Sequence, residues 1–234
     1  MATILIDIGN VLWSDDAGDL FTLRGIGRVL AERGQAVSEG VIAAAQAQAV
    51  ADWAPSAWRA VIHGLARDAA EVAAVTREVR ARWDALSDDD YAAFTTPFPS
   101  TAALLESLAA DGHTLVLASN NSPRALARLE TLGLLRHFAV KEVSETLDLA
   151  KPDPRFFEVL LAAVDHPKDA IMVGDRIDND VAPARTLGLR TLRVRHGSHV
   201  AQEPRGPEST PDLTVDDPAE LAAALDRLLA TPTP

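Results

Sequence analysis

The sequence predicts an α/β protein built on a parallel sheet, and three observations carry that reading. Apolar runs of strand length recur along the 234 residues, they alternate with segments of helical period, and most end beside polar or Gly-rich turns. Strands are expected over Thr3 to Ile8, Thr114 to Ala118, Ala139 to Val143, Ala170 to Val173 and Arg190 to Val194. The segments between them carry the 3.6-residue period, as in Leu104, Leu105 and Leu108, in Phe156, Phe157, Leu160 and Leu161, and in Leu221, Leu225 and Leu228. Ser122-Pro123, Asp153-Pro154 and Asp217-Pro218 each supply an N-cap acceptor followed by Pro at the first helical position. Gly112, Gly133 and Gly188 stand where helices should stop.

Residues 15 to 94 interrupt the alternation. This stretch is Ala-rich, helical in pattern throughout and without a convincing strand, so it reads as an inserted helical subdomain between residues 1–14 and 95–234. Helices are expected near Leu20 to Arg33, Ser38 to Trp53, Ala57 to Arg67 and Glu71 to Leu86, with Trp53, Trp58 and Trp83 mainly as their core. Asp88-Asp89-Asp90 reads as a solvated linker, and His196 to Thr214 as a surface loop. Arg193 and Arg195 read as the outer face of an edge strand. His196 and His199 lack a third ligand nearby in sequence and are not expected to hold a metal.

Composition excludes several classes of function. With no cysteine, the chain has no disulfide, thiolate nucleophile, zinc–thiolate site or iron–sulfur cluster. Its 22 Lys and Arg against 34 Asp and Glu give a net charge of −12, which argues against nucleic acid or an anionic membrane as partner. The apolar start Ile4 to Trp13 is broken by Asp7, with no basic region before it, and no other apolar run approaches the roughly 20 residues that span a bilayer. A cytoplasmic protein is expected.

Four strand ends carry candidate chemistry. Asp7 closes the apolar run Ile4-Leu5-Ile6, where a carboxylate is costly unless paired or metal-bound; taken alone it reads equally as a turn cap. Ile171-Met172-Val173 ends in Gly174-Asp175-Arg176-Ile177-Asp178-Asn179-Asp180, whose three carboxylates either surround a hard cation or form a solvated acidic turn with Asp180 as a helix cap. Ser119-Asn120-Asn121 and Lys151-Pro152-Asp153 offer donors suited to an anionic group, although each alone is more simply a cap or a solvated lysine. Ligands in open α/β sheets bind at such carboxyl ends.

Taken in order, with gaps of 112, 32 and 24 residues, Asp7 in ILIDIGNV, Ser119 in LVLASNN, Lys151 in LAKPDPRFF, and Asp175 with Asp180 in IMVGDRIDND give a sequence that resembles the haloacid dehalogenase-like hydrolase superfamily from Thr3 to about Val194. The resemblance implies a Rossmann-like three-layer core of strand order 5-4-1-2-3 with an inserted all-helical cap. It further implies a phosphatase acting on a small phosphorylated metabolite, a sugar phosphate first and a nucleotide second. In that family pattern Asp7 attacks phosphorus, Ser119 holds the phosphoryl oxygens and Lys151 screens charge. Asp7, the Gly9 carbonyl and Asp175 hold Mg²⁺, with Asp180 supporting it through water and Asp178 a second candidate for that support. Asn10, Asn120 and Trp13 are the further substrate-side candidates; Trp13 stands where the family has a mobile flap, or else is an ordinary packing residue.

The departure from the family pattern is Gly9, where most of its phosphatases place a second Asp as general acid and base. Losing such a group typically costs about 10²–10⁴-fold, and the Asn10 amide cannot replace it. Some branches with Gly-Asn at this point are sugar-phosphate phosphatases. The dehalogenases of the family also lack that Asp and act on carbon without Mg²⁺, which makes a 2-haloacid dehalogenase one alternative. A catalytically silent protein that binds a phosphate ligand or a partner is another.

Overall fold

In the computed structural model, which describes residues 1–167 and 169–231, the chain divides into two compact units, Met1–Ser14 with Thr96–Pro234 and Asp15–Thr95. The first unit opens with β1 (Thr3–Ile6), whose four residues are all buried. The chain then leaves for five helices, α1 (Asp16–Glu32), α2 (Glu39–Ala51), α3 (Ala57–Leu65), α4 (Ala69–Asp84) and α5 (Asp88–Phe94), which make up the second unit. It returns as α6 (Thr101–Ala110), β2 (Thr114–Leu117), α7 (Pro123–Thr131), β3 (Phe138–Val140), α8 (Ser144–Leu147), α9 (Pro154–Ala162), β4 (Ala170–Gly174), α10 (Ala182–Thr186), β5 (Arg190–Val194), β6 (Leu213–Val215) and α11 (Leu221–Ala230).

Among the described residues, six parallel strands form one sheet in the order β3-β2-β1-β4-β5-β6. Read from the other edge this is the expected 5-4-1-2-3 order with one strand added. β6 lies at the end of the stretch expected to be surface loop; it is three residues long and among the described residues pairs with β5 alone, so pairing rather than local pattern makes it a strand. Side-chain alternation sorts the core into two layers. Ile4, Ile6, Leu115, Leu117, Ile171, Val173, Leu192 and Val194 point to one face, against Leu104, Leu105, Leu108, Leu129, Leu221, Leu225 and Leu228. Leu5, Val116, Ala118, Ala170 and Met172 point to the other, against Phe156, Phe157, Leu160 and Ala184. Helix stops fall where expected, with Gly112, Gly133 and Gly188 at φ of 80°, 68° and 77°. Asp153 and Asp217 accept hydrogen bonds from Arg155 N and Ala219 N, whereas Ser122 makes no such cap bond.

The helical unit has its own core of Ile26, Val29, Leu30, Ile42, Val61, Ile62, Val75 and Val79. Trp83 packs edge-on against Phe21, Tyr91 and Phe94 and donates Nε1–H to Thr22 Oγ1 at 2.9 Å. The acidic run is not a linker: Ser87 caps α5 by accepting from Asp90 N, and Asp88, Asp89 and Asp90 fill the first turn, where the helix dipole favours negative charge. Among the described residues no helix is long and apolar enough to cross a membrane.

Candidate active site

The two central strands, β1 and β4, deliver the carboxylates. Asp7 follows β1, anchored by its N–H to Val173 O at 2.9 Å, and its Oδ1 accepts from Ile8 N at 2.8 Å. Gly174 ends β4. A Cβ there would lie 2.3 Å from the Asp180 carboxylate, so only glycine lets that side chain fold back over the strand end. A π-helical turn over Ile177–Val181, with Asp180 N and Val181 N both donating to Arg176 O, presents Asp180 inward.

Lys151 joins the two sides. Its ammonium lies 3.1 Å from Asp7 Oδ2 and 2.5 Å from Asp180 Oδ1, and all three residues are buried. Asn120 fixes this lysine by gripping its main chain, with Nδ2 donating to Lys151 O at 2.8 Å and Oδ1 accepting from Lys151 N at 2.8 Å. The Asn120 amide is thus engaged in positioning Lys151. Ser119, at the end of β2 beside β1, is buried, and its Oγ accepts from Asn121 Nδ2 at 3.4 Å.

One ammonium stands against three buried carboxylates. Oxygens of Asp7, Asp175 and Asp180 all lie within 4.8 Å of one another. Burial, then the charges of Asp180 and Asp7, push the Asp175 carboxyl well above the usual range, with the bond from Asn10 opposing. Burial likewise raises Asp180, to about 6, against the pull of Lys151. Burial alone would lower Lys151, but the charges of Asp180 and Asp7 outweigh it and its pKa is raised. An all-oxygen donor set carrying uncompensated negative charge fits a hard divalent cation.

Three further site candidates are engaged within the chain. Asp178 pairs with Arg176, at 2.6 Å and 3.0 Å, and is outside the carboxylate trio; that pairing holds its pKa low against the effect of burial. Asn10, at φ 56°, turns its amide onto Asp175 Oδ2 at 3.0 Å. Trp13 is 1% exposed and packs in the sheet core with Ile8, Val11 and Leu12, in line with the packing reading. Arg193 is not on an outer face, because β6 covers that edge and the residue is buried; Arg195 does reach outward, to Asp216 at 2.7 Å. His199, discounted in sequence, has Nδ1 3.8 Å from Asp175 Oδ2. Nothing in the local pattern signals that approach, since a chain reversal after β5 creates it.

Comparisons with known proteins agree with this construction. A family model for the haloacid dehalogenase-like hydrolases matches residues 1–188. The glyceraldehyde 3-phosphate phosphatase of Methanopyrus kandleri is 32% identical over 131 residues, covering 55% of this chain and 56% of that protein. The phosphoserine phosphatase of Thermus thermophilus is 36% identical over 129 residues, covering 54% and 50%. The chain thus spans about half the length of these curated relatives. Among solved structures, a HAD phosphatase from Thermococcus onnurineus superposes with a TM-score of 0.62 at 20% identity, covering 96% of this chain and 98% of that one. CbbY from Rhodobacter sphaeroides, in complex with phosphate, gives 0.65 at 20% identity, covering 97% and 100%. The structural likenesses concern the fold, while the family model covers both strand ends that supply the carboxylates, and on that match the chain belongs to the haloacid dehalogenase-like hydrolases.

Proposed function

We propose that the protein is a Mg²⁺-dependent phosphoric monoester hydrolase acting on a small phosphorylated metabolite through a phospho-Asp7 intermediate. The observation that carries this reading is the Lys151 ammonium set between Asp7 and Asp180, beside a third buried carboxylate. Asp7, the Gly9 carbonyl and Asp175 would hold the metal. Both Asp180 oxygens already accept hydrogen bonds, from Lys151 Nζ and Arg176 N, which suits support through water. Bound there, Mg²⁺ supplies the positive charge that lets a phosphate dianion approach a carboxylate.

Asp7 Oδ attacks phosphorus as the ester P–O bond breaks, and water then cleaves the acyl phosphate to return Asp7 and inorganic phosphate. Lys151, 3.1 Å from Asp7 Oδ2, offsets the charge that gathers on the phosphoryl oxygens. Ser119 is the hydroxyl available to those oxygens from β2. Gly9 offers no acid for the leaving oxygen, so water or another donor has to protonate it, which favours substrates whose alcohols leave readily. The relatives' names, on glyceraldehyde 3-phosphate, phosphoserine and phosphoglycolate, put three- and two-carbon phosphates first among substrates to try.

The test is phosphate release from a panel of phosphorylated metabolites and one activated aryl phosphate, with Mg²⁺ and with a chelator. Metal-dependent turnover that disappears in Asp7→Asn is expected. Wild-type turnover in a clean Asp7→Asn preparation, or turnover indifferent to chelation, overturns the reading.

A further inference from the structure

The chain leaving β5 turns back over the acidic turn, and Arg193 holds it there. This residue is 3% exposed and spends its guanidinium on four main-chain carbonyls. Nε donates to Asp175 O at 3.3 Å, Nη1 to Gln202 O at 2.9 Å, and Nη2 to His199 O at 3.0 Å and Val200 O at 3.4 Å. One of those oxygens belongs to a candidate metal ligand and the other three to the returning loop. Only a rigid, forked cation can bridge them at once.

The loop so fixed meets the site at three points. Gly197, at φ +71°, lies so close to Asn10 that a Cβ would fall 2.4 Å from Asn10 Nδ2, the atom that donates to Asp175 Oδ2 at 3.0 Å. His199 Nδ1 stands 3.8 Å from that same Oδ2. Gln202 Oε1 accepts from Ile177 N at 2.8 Å, at the start of the turn that presents Asp180.

We propose that Arg193 is a positioning residue for the metal site: by tying the 197–202 loop to the main chain of Asp175, it holds Asn10 against the Asp175 carboxylate and fixes the orientation in which that carboxylate takes a divalent cation. The inference rests on the metal reading above and adds a residue outside the strand-end motifs. Partners that orient metal ligands typically account for 10- to 100-fold in affinity.

The probe is Mn²⁺, with its dissociation constant measured by electron paramagnetic resonance and calorimetry on the full chain, well below the unfolding temperature. Arg193→Lys keeps the charge but cannot reach four carbonyls. Gly197→Ala leaves Arg193 intact and pushes the loop off Asn10. Each variant is expected to bind Mn²⁺ about tenfold or more weakly while retaining the wild-type circular dichroism spectrum. If Arg193→Lys does not fold, Gly197→Ala carries the test alone. Folded variants that bind Mn²⁺ as tightly as wild type overturn the inference, and a loss of thermal stability without a loss of affinity does the same. Asp175→Asn separates the two readings. Equal Mn²⁺ affinity in wild type and Asp175→Asn overturns the metal reading, and this inference with it. An Asp175-dependent site indifferent to Arg193 and Gly197 overturns this inference alone.

Discussion

Lys151 is buried with two carboxylates on its ammonium, and removing it leaves Asp7 and Asp180 without their shared cation. Breaking such a buried pair from one side costs about 3–5 kcal/mol. Lys151→Met is therefore expected to lower stability by that order in urea denaturation, measured in chelator, and to abolish turnover. The same cluster sets a pH dependence. The Asp180 carboxyl is raised to about 6 in the fold, above an unfolded value of about 3.9, and Asp175 is raised as well. The folded state then binds more protons than the unfolded one across that interval. In chelator, the contribution of Asp180 is present below about pH 4 and is lost as pH rises through about 6, and that of Asp175 falls in the same direction. Urea midpoints should fall across that window, and Asp180→Asn should flatten the fall; an unchanged slope would remove Asp180 as its source. Gly9→Asp is expected to raise hydrolysis of substrates with poor leaving groups relative to an aryl phosphate, measured as a ratio of kcat/KM, if the missing acid limits the rate. The convergence of Asp7, Lys151, Asp175 and Asp180 is legible from their order at successive strand ends, although each alone reads as a cap or a solvated side chain. Arg193, His199 and Gln202 were not legible, since their contacts depend on a reversal of the chain that no local period encodes.

Elements are most legible where periodicity and capping coincide. The buried strands β1, β2, β4 and β5 repeat the expected runs to within two residues, and α9 begins at the predicted Asp153-Pro154. The misses are short elements whose identity comes from neighbours. β3 covers Phe138–Val140 in place of Ala139 to Val143, and only an isolated bridge, Ser119 to Val143, continues it. β6 needs β5 to exist. Helix α5 was hidden because three consecutive acids resemble a solvated run, although at a helix N-terminus they are favourable. Replacing Asp88 with Lys should cost about 0.3–1 kcal/mol by thermal unfolding, because it sets a cation at the positive end of the dipole. Gly174→Ala is expected to do more, since the new methyl occupies the place of the Asp180 carboxylate. It should weaken Mn²⁺ binding and turnover together, and a variant with wild-type values of both would show that the strand end can yield.

A ligand binding only the folded state stabilises it by about 2.7 kcal/mol at a hundredfold excess over its dissociation constant. Mg²⁺ is accordingly expected to raise the melting temperature of wild type and to leave that of Asp175→Asn nearly unchanged, which differential scanning fluorimetry reads directly.

The interruption of the sheet unit between Ser14 and Thr96 also orders events during synthesis. The apolar strand Thr3–Ile6 is made first, yet Thr3 pairs with Thr114 on one side and Ala170 on the other. On a ribosome the helical unit is complete before either partner strand has emerged. Loop closure grows only with the logarithm of length, so the insertion costs little at equilibrium. What it imposes is waiting: an exposed Ile4-Leu5-Ile6 edge on the nascent chain, unable to pair until more than a hundred further residues have been made.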